Sequence, residues 1–173
     1  MSIEIENQAK NDILNSMKKE RHKAVPAVYG IFKKDKQVLL GRRQNTRYYD
    51  GWYGFPAGHV EANELPKKAL IREIKEEVGV DVTLEDIEFA HILYRTAHDE
   101  TGDRVDLFFI IKKWTGEPKI MEPHKCDDLQ WFSLNNLPEK RIHHEKNAMD
   151  CIDKEINFSE ISEEQAHQNP NKI

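Results

Sequence analysis

The sequence predicts an α/β protein, because one chain carries both a clear helical pattern and clear strand patterns. Residues 66–78 place their apolar side chains on one helical face, between Pro66, which suits a first helical turn, and Gly79, which suits a helix end. The run 105–114 (VDLFFIIKKW) is the strongest strand signal in the chain. Together with a hairpin pattern ahead of them, these segments predict a sheet that packs against helices.

Shorter patterns predict the remaining elements. Two strands joined by a charged turn predict a β-hairpin, two further extended segments predict strands, and an amphipathic segment near the C-terminus predicts a second helix. The hairpin occupies 23–42, the extended segments lie at 87–94 and 129–132, and the second helix covers 143–156.

The chain of 173 residues suits one compact domain and contains no internal repeat. We expect this domain to cover residues 23–156. Residues 1–22 form an N-terminal arm or short helix, since apolar residues recur there at helical spacing. The arm could pack on the domain or against a second subunit, which leaves a homodimer open. Residues 157–173 are rich in Glu, Gln and Asn, which predicts a polar, disordered tail.

Charge and hydropathy argue against several classes of protein. The net charge of −5 and the pI near 5.9 argue against binding to a nucleic acid polymer, which requires a basic surface. The longest apolar run, 107–111, is far shorter than a membrane span, and the acidic first residues do not resemble a signal peptide. We therefore expect a cytoplasmic protein, and this charge does not exclude small nucleotides as ligands.

Three carboxylates are crowded on the helix predicted over 66–78. Glu73, Glu76 and Glu77 stand at positions i, i+3 and i+4, which share one face of a helix. Like charges at this spacing repel one another unless water solvates them or a hard cation lies among them. Carboxylates are ligands that Mg²⁺ and Mn²⁺ prefer. The pattern leaves two alternatives, a solvated helix face and a site for a divalent metal.

These carboxylates belong to a longer pattern around the same helix. It reads Gly58, five residues, Glu64, seven residues, Arg72-Glu73-Ile74, one residue, Glu76-Glu77, one residue and Gly79-Val80. The pattern resembles the Nudix box at every specified position, and a chance match in a chain of this length has a likelihood of about 10⁻⁸. The resemblance extends to Gly54-Phe55-Pro56, to the Trp-x-Gly-Glu-Pro run at 114–118 and to 129–134, although Ala57 stands where many members have glycine.

The resemblance implies a fold, a cofactor and a reaction. The fold is the Nudix α/β/α sandwich, in which a central mixed sheet lies between helices and the catalytic motif is a loop–helix–loop. The cofactor is Mg²⁺ or Mn²⁺. The reaction is attack of water on a diphosphate linkage in a nucleoside triphosphate or another nucleoside diphosphate derivative. Such an enzyme is a pyrophosphohydrolase of small nucleotides.

The resemblance also implies roles for individual residues. The metal ligands that it implies are Gly58, through its carbonyl group, and the carboxylates of Glu73, Glu76 and Glu77. Arg72 and Glu64 are expected to fix the loop and the first carboxylate through charged hydrogen bonds. The catalytic residues that it implies are Glu73, Glu76, Arg72 and Glu122, with Glu73 as our first choice for the general base. Arg43 is expected to contact the phosphate or the base of the substrate.

Other readings of the same residues stay open. Glu122 and Arg43 also fit an ordinary surface loop. The aromatic residues of the loop before the Nudix box fit stacking on a nucleobase or simple packing. These aromatic residues are Tyr48, Tyr49, Trp52 and Tyr53.

Two other functions also stay open. One is a non-catalytic Nudix-fold sensor that binds a nucleotide-like ligand. The other is an enzyme like isopentenyl-diphosphate isomerase, which requires a Cys and a Glu that face each other across one pocket, with Cys126 or Cys151 as the thiol. The sequence does not choose the substrate.

Overall fold

The computed structural model describes residues 22–96 and 102–162, so the N-terminal arm predicted over 1–22 lies outside the described residues except for His22. In the described ranges the chain forms one eight-stranded mixed sheet and two α-helices. The strands are β1 (Ala24–Lys34), β2 (Gln37–Arg43), β3 (Tyr53–Gly54), β4 (Ala57–His59), β5 (Ile87–Arg95), β6 (Asp103–Ile111), β7 (Cys126–Ser133) and β8 (Phe158–Ile161). The helices are α1 (Pro66–Glu77) and α2 (His143–Ile152), and a 3₁₀ turn covers Leu84–Asp86.

The sheet runs in the order β3-β2-β1-β6-β5-β8, with β4 paired to β1 and β7 paired to β2. β1 is parallel to β6 and β5 is parallel to β8, whereas the other pairs are antiparallel. Successive residues of β1 point to opposite faces, so that Val28 enters the core under α1 and Tyr29 enters the core under α2. Helix α1 contributes Leu70 and Ile74 to the first core, and α2 contributes Met149 to the second. The predicted α/β sandwich with a mixed sheet is confirmed.

A gap opens in the sheet because β1 and β2 separate. These strands are paired only beside their turn, at Lys33–Val38 and Lys34–Gln37. Farther from the turn, β1 pairs with β4 and β6, while β2 pairs with β3 and β7. The chain from β3 to β4 therefore bridges two halves of the sheet, and the cleft described below lies at this bridge.

Helix α1 begins at Pro66 as predicted and ends at Glu77, one residue before the predicted end. Gly79 N–H donates to Ile74 C=O at 3.1 Å, and Gly79 has a φ of +77°, which glycine adopts without strain. The carbonyl of Glu77 is thereby left for the N–H of Met121, which donates to it at 3.1 Å. The end of α1 thus anchors the loop that precedes β7.

The strongest predicted strand ends earlier than expected. β6 stops at Ile111, whereas the prediction continued to residue 114. Trp114 leaves the sheet because its ring packs against the rings of Phe32 and Trp131, with centroid separations of 5.2 and 5.8 Å. Burial of a large aromatic ring outweighs the local strand pattern here.

The C-terminal boundaries were also wrong. Helix α2 ends at Ile152 rather than at residue 156, because the chain turns there and the N–H of Ile156 donates to Cys151 C=O at 2.9 Å. Residues 158–161, which we expected in a disordered tail, form β8 and pair with β5. The buried His91 on β5 holds this segment, since its ring nitrogens are hydrogen-bonded to Ile156 C=O and Ser159 Oγ, both at 2.8 Å. The rest of the predicted tail, 163–173, lies outside the described residues.

Within the described ranges, neither helix has the length and apolar character needed to cross a bilayer. A cytoplasmic location, a homodimer and a domain that begins at residue 23 stay predictions.

Candidate active site

A cleft of about 730 Å³ lies where the two halves of the sheet separate. One end is lined by Gly58, Glu73 and Glu77, together with Glu122 from the loop before β7. The other end is lined by residues of β1, β5 and the start of α2. Three of the four predicted carboxylates are therefore brought to one end of a cavity large enough for a small-molecule ligand.

Arg72 organises the loop that precedes α1. Its Nε and Nη2 atoms donate to the two carboxylate oxygens of Glu64 at 3.0 and 2.9 Å, and Nη2 also donates to His59 C=O at 3.2 Å. Its Nη1 atom donates to Glu73 Oε1 at 2.6 Å. A guanidinium with this many acceptors has one orientation, and Glu73 is oriented with it. These are the contacts that we expected of Arg72 and Glu64, whereas their part in catalysis stays a prediction.

Gly58 lets the backbone touch the side chain of Glu73. A Cβ atom on residue 58 would overlap the Glu73 carboxyl group, so any larger residue at this position would displace the Glu73 side chain. The Glu73 side chain keeps 15% of its surface exposed, and burial raises its pKa although the hydrogen bond from Arg72 opposes the rise. Burial beside a cleft therefore makes the Glu73 carboxylate a better proton acceptor than an exposed glutamate.

Glu77 is a partly buried carboxylate with two other carboxylates, Glu73 and Glu122, within electrostatic range. Its Oε2 atom accepts the N–H of Ala57 at 3.0 Å. Burial, together with the negative charges of Glu73 and Glu122, raises the pKa of Glu77 to about 7, although the Ala57 N–H opposes the rise. Because Ala57 contributes its backbone N–H, the change from the glycine found in many Nudix members leaves this hydrogen bond intact.

Glu122 reaches the cleft from the loop that is anchored on α1. Both of its carboxylate oxygens accept hydrogen bonds from Lys125 Nζ, at 2.8 and 2.9 Å. Glu76 differs from the other three carboxylates, since 54% of its side chain is exposed and it is not part of the cleft lining. Its nearest cation is Arg72, whose Nη1 lies 3.5 Å from Glu76 Oε2.

The donor set fits Mg²⁺ or Mn²⁺ in its chemistry. Glu73, Glu77 and Glu122 offer hard oxygen donors, and a cation among them would relieve the shortage of positive charge around Glu77. In the part of the chain that the structure describes, no three Asp, Glu, His or Cys side chains are gathered closely enough to hold one ion. Lys125 holds Glu122, so Glu122 must be released before it shares an ion with Glu77 and with Glu73, which stays oriented by Arg72.

The opposite end of the cleft has a buried polar floor, which is lined by Tyr29, Arg95, His144 and Glu145 and backed by the fully buried Asp106. Asp106 is fully buried and accepts hydrogen bonds from Arg95 Nη2 and Tyr29 OH, both at 3.3 Å, and a shorter one from Arg95 Nε. Tyr29 OH is also hydrogen-bonded to His144 Nε2 at 3.3 Å. Polar groups are costly to bury, and a network with such partners suits recognition of a polar ligand.

Glu145 lies in the first turn of α2 and completes the polar floor. Its Oε2 atom accepts the N–H of Phe55 at 2.6 Å, and burial raises its pKa to about 8. Gly54 makes room for this side chain, because a Cβ there would lie 2.6 Å from Ile142 Cδ1 and 2.8 Å from Glu145 Oε1. The carboxyl group is therefore held in one place by tight packing and one backbone donor.

Arg43 lines the cleft between its two ends. Its Nε atom donates to Tyr48 C=O at 2.9 Å, and its guanidinium lies 5.7 Å from the centre of the Tyr48 ring. Burial raises the pKa values of Glu77 and Glu145, and the charge of Arg43 opposes this rise at both residues. Arg43 is thus within electrostatic range of both ends, and its contact with substrate stays a prediction.

The aromatic residues of the loop before the Nudix box pack mainly on one another. Tyr49 meets Tyr48 and Trp52 edge to face, with centroid separations of 4.6 and 5.3 Å, and Trp52 meets His143 at 4.8 Å. Tyr53 packs edge to face on Phe132 at 4.9 Å. The cleft lining includes Tyr48 among the four candidates. Packing therefore accounts for three of them.

Comparison with known proteins identifies the family. Residues 20–150 match the model of the NUDIX domain. The chain belongs to the Nudix family. It is 35% identical over 131 residues to an ADP-ribose pyrophosphatase from Methanocaldococcus jannaschii, a match that covers 76% of this chain and 74% of that protein. It is also 35% identical over 88 residues to an 8-oxo-dGTP diphosphatase from Proteus vulgaris, which covers 50% of this chain and 74% of that protein.

The fold agrees with solved Nudix structures. A MutT NUDIX hydrolase from Burkholderia pseudomallei superimposes with a TM-score of 0.68, over 75% of this chain and 98% of that chain, at 24% identity. This likeness shows the fold alone. Together with relatives named as a pyrophosphatase and a diphosphatase, the family match confirms the prediction of a Nudix hydrolase enzyme.

Sequence reasoning missed most of the Nudix cleft outside the box, although two signals pointed to it. Asp106 is a charged residue inside the strongest strand pattern, which indicates a buried partner. Glu145 stands three residues before the buried Ala148 on an amphipathic helix, so helical spacing places it on the buried face. Lys125 carried no comparable signal, because lysine beside an acidic loop residue is common on surfaces.

Proposed function

We propose that this Nudix hydrolase cleaves a diphosphate linkage in a nucleoside diphosphate derivative, such as a nucleoside triphosphate, by attack of water with the help of Mg²⁺ or Mn²⁺. The observation that carries the proposal is the convergence of Glu73, Glu77 and Glu122 on one end of the cleft from two separate segments. The printed names of the two relatives, an ADP-ribose pyrophosphatase and an 8-oxo-dGTP diphosphatase, support this reaction class.

The surroundings of each carboxylate indicate its role in metal binding or in proton transfer. A divalent ion held by Glu73 and Glu77, with the Gly58 carbonyl and Glu76 close by, would neutralise phosphate oxygens and acidify the attacking water. Glu73 accepts the proton of that water through its carboxylate group, which the hydrogen bond from Arg72 orients. Burial raises the pKa of Glu73, which makes its carboxylate a better proton acceptor than an exposed glutamate.

Atoms balance in a simple way. The water oxygen forms a bond to one phosphorus, the bridging P–O bond breaks, and the second phosphate departs with the electron pair of that bond. Arg43 stabilises the phosphate chain from its position between the two ends of the cleft. The part of the substrate beyond the phosphates lies against the polar floor, where Glu145 and Tyr29 offer hydrogen-bonding groups.

The substrate and the reaction are tested together with a panel. ADP-ribose, 8-oxo-dGTP, the common nucleoside triphosphates and isopentenyl diphosphate are incubated with the wild-type protein and Mg²⁺, with and without a chelator. We expect a divalent-dependent release of a nucleoside monophosphate from at least one nucleotide. Failure to cleave any diphosphate, with nucleotide binding retained, indicates the sensor. Isomerisation of isopentenyl diphosphate without cleavage indicates the isomerase.

The isomerase alternative has one feature in its favour, because Cys126 lines the cleft. Its thiol donates to Asp128 C=O at 3.2 Å, and burial raises its pKa, so the thiol is protonated and occupied. A Cys126→Ala variant separates the two reactions. We expect it to hydrolyse nucleotides within about threefold of the wild-type rate, since hydrolysis by a carboxylate base needs no thiol.

Two variants assign the general base. We expect Glu73→Gln to lower kcat by about 10² to 10⁴ with the best substrate of the panel, the usual contribution of a positioned base. Glu85→Gln, which changes an exposed glutamate on the 3₁₀ turn, is the matched control. A Glu122→Gln variant that loses more activity than Glu73→Gln would move the base to Glu122.

A further inference from the structure

Lys125 lies at the catalytic end of the cleft and is bound to one carboxylate there. Its Nζ atom donates to both oxygens of Glu122, at 2.8 and 2.9 Å. A backbone turn produces this contact, because Lys125 N–H donates to Glu122 C=O at 2.9 Å and so brings the two side chains together. Both residues line the same cleft as Glu73 and Glu77.

The charge of Lys125 is felt by the other carboxylates as well. The hydrogen bonds to Glu122 raise the pKa of Lys125 most, and the charges of Glu77 and Glu73 add to the rise. In turn, the Lys125 charge opposes the rise in the pKa of Glu73 that burial produces. Lys125 therefore supplies positive charge in the region where the proposed divalent ion would lie.

Each carboxylate at this end is engaged by a different donor. Arg72 holds Glu73, the Ala57 N–H holds Glu77, and Lys125 holds Glu122. This division agrees with the finding that, within residues 22–96 and 102–162, no three acidic, His or Cys side chains are gathered to hold one ion. An ion that recruits Glu122 must first separate it from Lys125.

We propose that Lys125 is a resident counter-ion of Glu122 that the divalent ion displaces, and that the released ammonium group then binds a phosphate of the substrate. The inference rests on the proposed metal-dependent function and assigns a positioning and substrate-binding residue to it. The divalent ion replaces the Lys125 ammonium group as the partner of the Glu122 carboxylate, and this exchange requires no proton transfer.

The contrast between Arg72 and Lys125 explains why Lys125 is the group that moves. Arg72 is fixed by Glu64, Glu73 and a backbone carbonyl, and it has one rigid planar head. Lys125 has a flexible stem, and 52% of its side chain is exposed. A half-exposed Lys–Glu pair is weak, so a divalent ion can displace it. The stem leaves the ammonium group within reach of the cleft.

The first test measures metal binding without substrate. Mn²⁺ is titrated into the wild-type protein, Lys125→Met and Lys113→Met, and the Kd is measured by calorimetry and by the Mn²⁺ spin-resonance signal. Lys113→Met is the matched control, because it removes one positive charge from an exposed position between β6 and the same loop. We expect Lys125→Met to bind Mn²⁺ about threefold to tenfold more tightly, since the competing ammonium group is gone. The control should stay within about twofold of the wild type.

The second test measures the phosphate contact at saturating Mg²⁺, with the substrate that the panel selects. We expect Lys125→Met to raise KM about tenfold with kcat within about threefold, because the ammonium group binds phosphate in the ground state and in the transition state alike. Thermal unfolding of both variants checks that they are folded. Lys125→Arg should restore KM in part, since it returns a positive charge.

Four outcomes overturn all or part of the inference. Equal or weaker Mn²⁺ binding by Lys125→Met rejects displacement, and an unchanged KM rejects the phosphate contact. Wild-type protein that binds no Mn²⁺ and cleaves no diphosphate rejects both this inference and the proposed function. Wild-type protein that binds Mn²⁺ and cleaves a substrate, with Lys125→Met indistinguishable from it, rejects only the role of Lys125.

Discussion

The carboxyl group of Glu73 occupies the space that a Cβ atom on Gly58 would fill, so the backbone of the loop and the side chain of the helix are in direct contact. Both residues line the cleft. Arg72 then fixes the other side of Glu73 with its 2.6 Å hydrogen bond. Glu73 is held from two directions, which is the property that a catalytic carboxylate requires.

Gly58→Ala should therefore displace Glu73. The added methyl group forces the carboxylate away, which we expect to cost about 1–3 kcal/mol of stability and to lower kcat about 100-fold, because small displacements of a reacting group have large effects. The measurements are kcat with Mg²⁺ and the free energy of unfolding in urea. Gly51→Ala is the control, since a Cβ at Gly51 meets nothing within 4 Å and costs only strain at its φ of +82°. Equal activity of the two variants would contradict the contact.

Glu145 should make stability depend on pH. Burial raises its folded-state pKa to about 8, above the ordinary value of an unfolded glutamate. The folded protein then holds a proton that the unfolded chain releases. The contribution of Glu145 to the free energy of unfolding therefore falls as pH rises from about 4.5 to about 8. We expect Glu145→Gln to gain on the order of a few kcal/mol over the wild type between pH 5 and pH 8, because glutamine cannot ionise and still accepts the Phe55 N–H.

Urea unfolding of the wild type and Glu145→Gln at pH 5, 6, 7 and 8 measures this difference. Glu85→Gln, at an exposed position, should run parallel to the wild type over the same range. Parallel curves for Glu145→Gln and the wild type would show that Glu145 is not buried as a neutral acid.

Removal of one partner of the buried Arg95–Asp106 pair should lower the folding stability strongly, whereas replacement of both partners by apolar residues should lower it much less. Arg95→Met leaves the fully buried Asp106 without its main partner, which we expect to cost about 3–5 kcal/mol of folding free energy. The double variant Arg95→Met, Asp106→Leu should recover most of that loss, because it removes the uncompensated charge. A urea-based double-mutant cycle measures both numbers, and additive effects of the two single variants would argue against the pair.

Strand β8 should contribute to stability although it lies in a polar C-terminal segment. A chain that ends at Asn157 loses the pairing of β8 with β5, and the ring of buried His91 loses its hydrogen bond to Ser159. A buried polar atom without its partner costs about 1–3 kcal/mol, so we expect a loss of at least that size. A chain that ends at Ser162 keeps β8 and serves as the control. Equal melting temperatures for the two truncations would contradict a structural role for β8.

Local patterns predicted the part of the site that a single segment builds. Residues Gly58 to Val80 form a loop and a helix whose contacts are close in sequence, such as Arg72 with Glu64 and Glu73. The helical period and the turn chemistry of Pro66 and Gly79 decide this geometry before any other part of the chain is considered. The reaction class and the helix that carries it could therefore be read without coordinates.

Local patterns failed where distant segments compete for the same groups. The strand pattern at 105–114 ended early because Trp114 finds Phe32 and Trp131, and the C-terminal segment paired with β5 because its edge was open to it. Propensity is a weak guide when burial of a ring or pairing of a strand is available. Glu76 also shows that local patterns are insufficient. It has the helical spacing of Glu73 and Glu77, but its side chain is far more exposed than that of Glu73.

The sequence by itself determined the Nudix helix, its three spaced carboxylates and the arginine that orients the first of them, because these depend on residues one to fifteen positions apart. Only the tertiary structure decided that Glu122 and Lys125 join Glu73 and Glu77 at one end of a cleft, and that Glu145 lies with Asp106, Arg95 and Tyr29 at the other. The reason is physical. The cleft exists because β1 and β2 separate, and which side chains face it depends on strand register and helix packing over the whole chain.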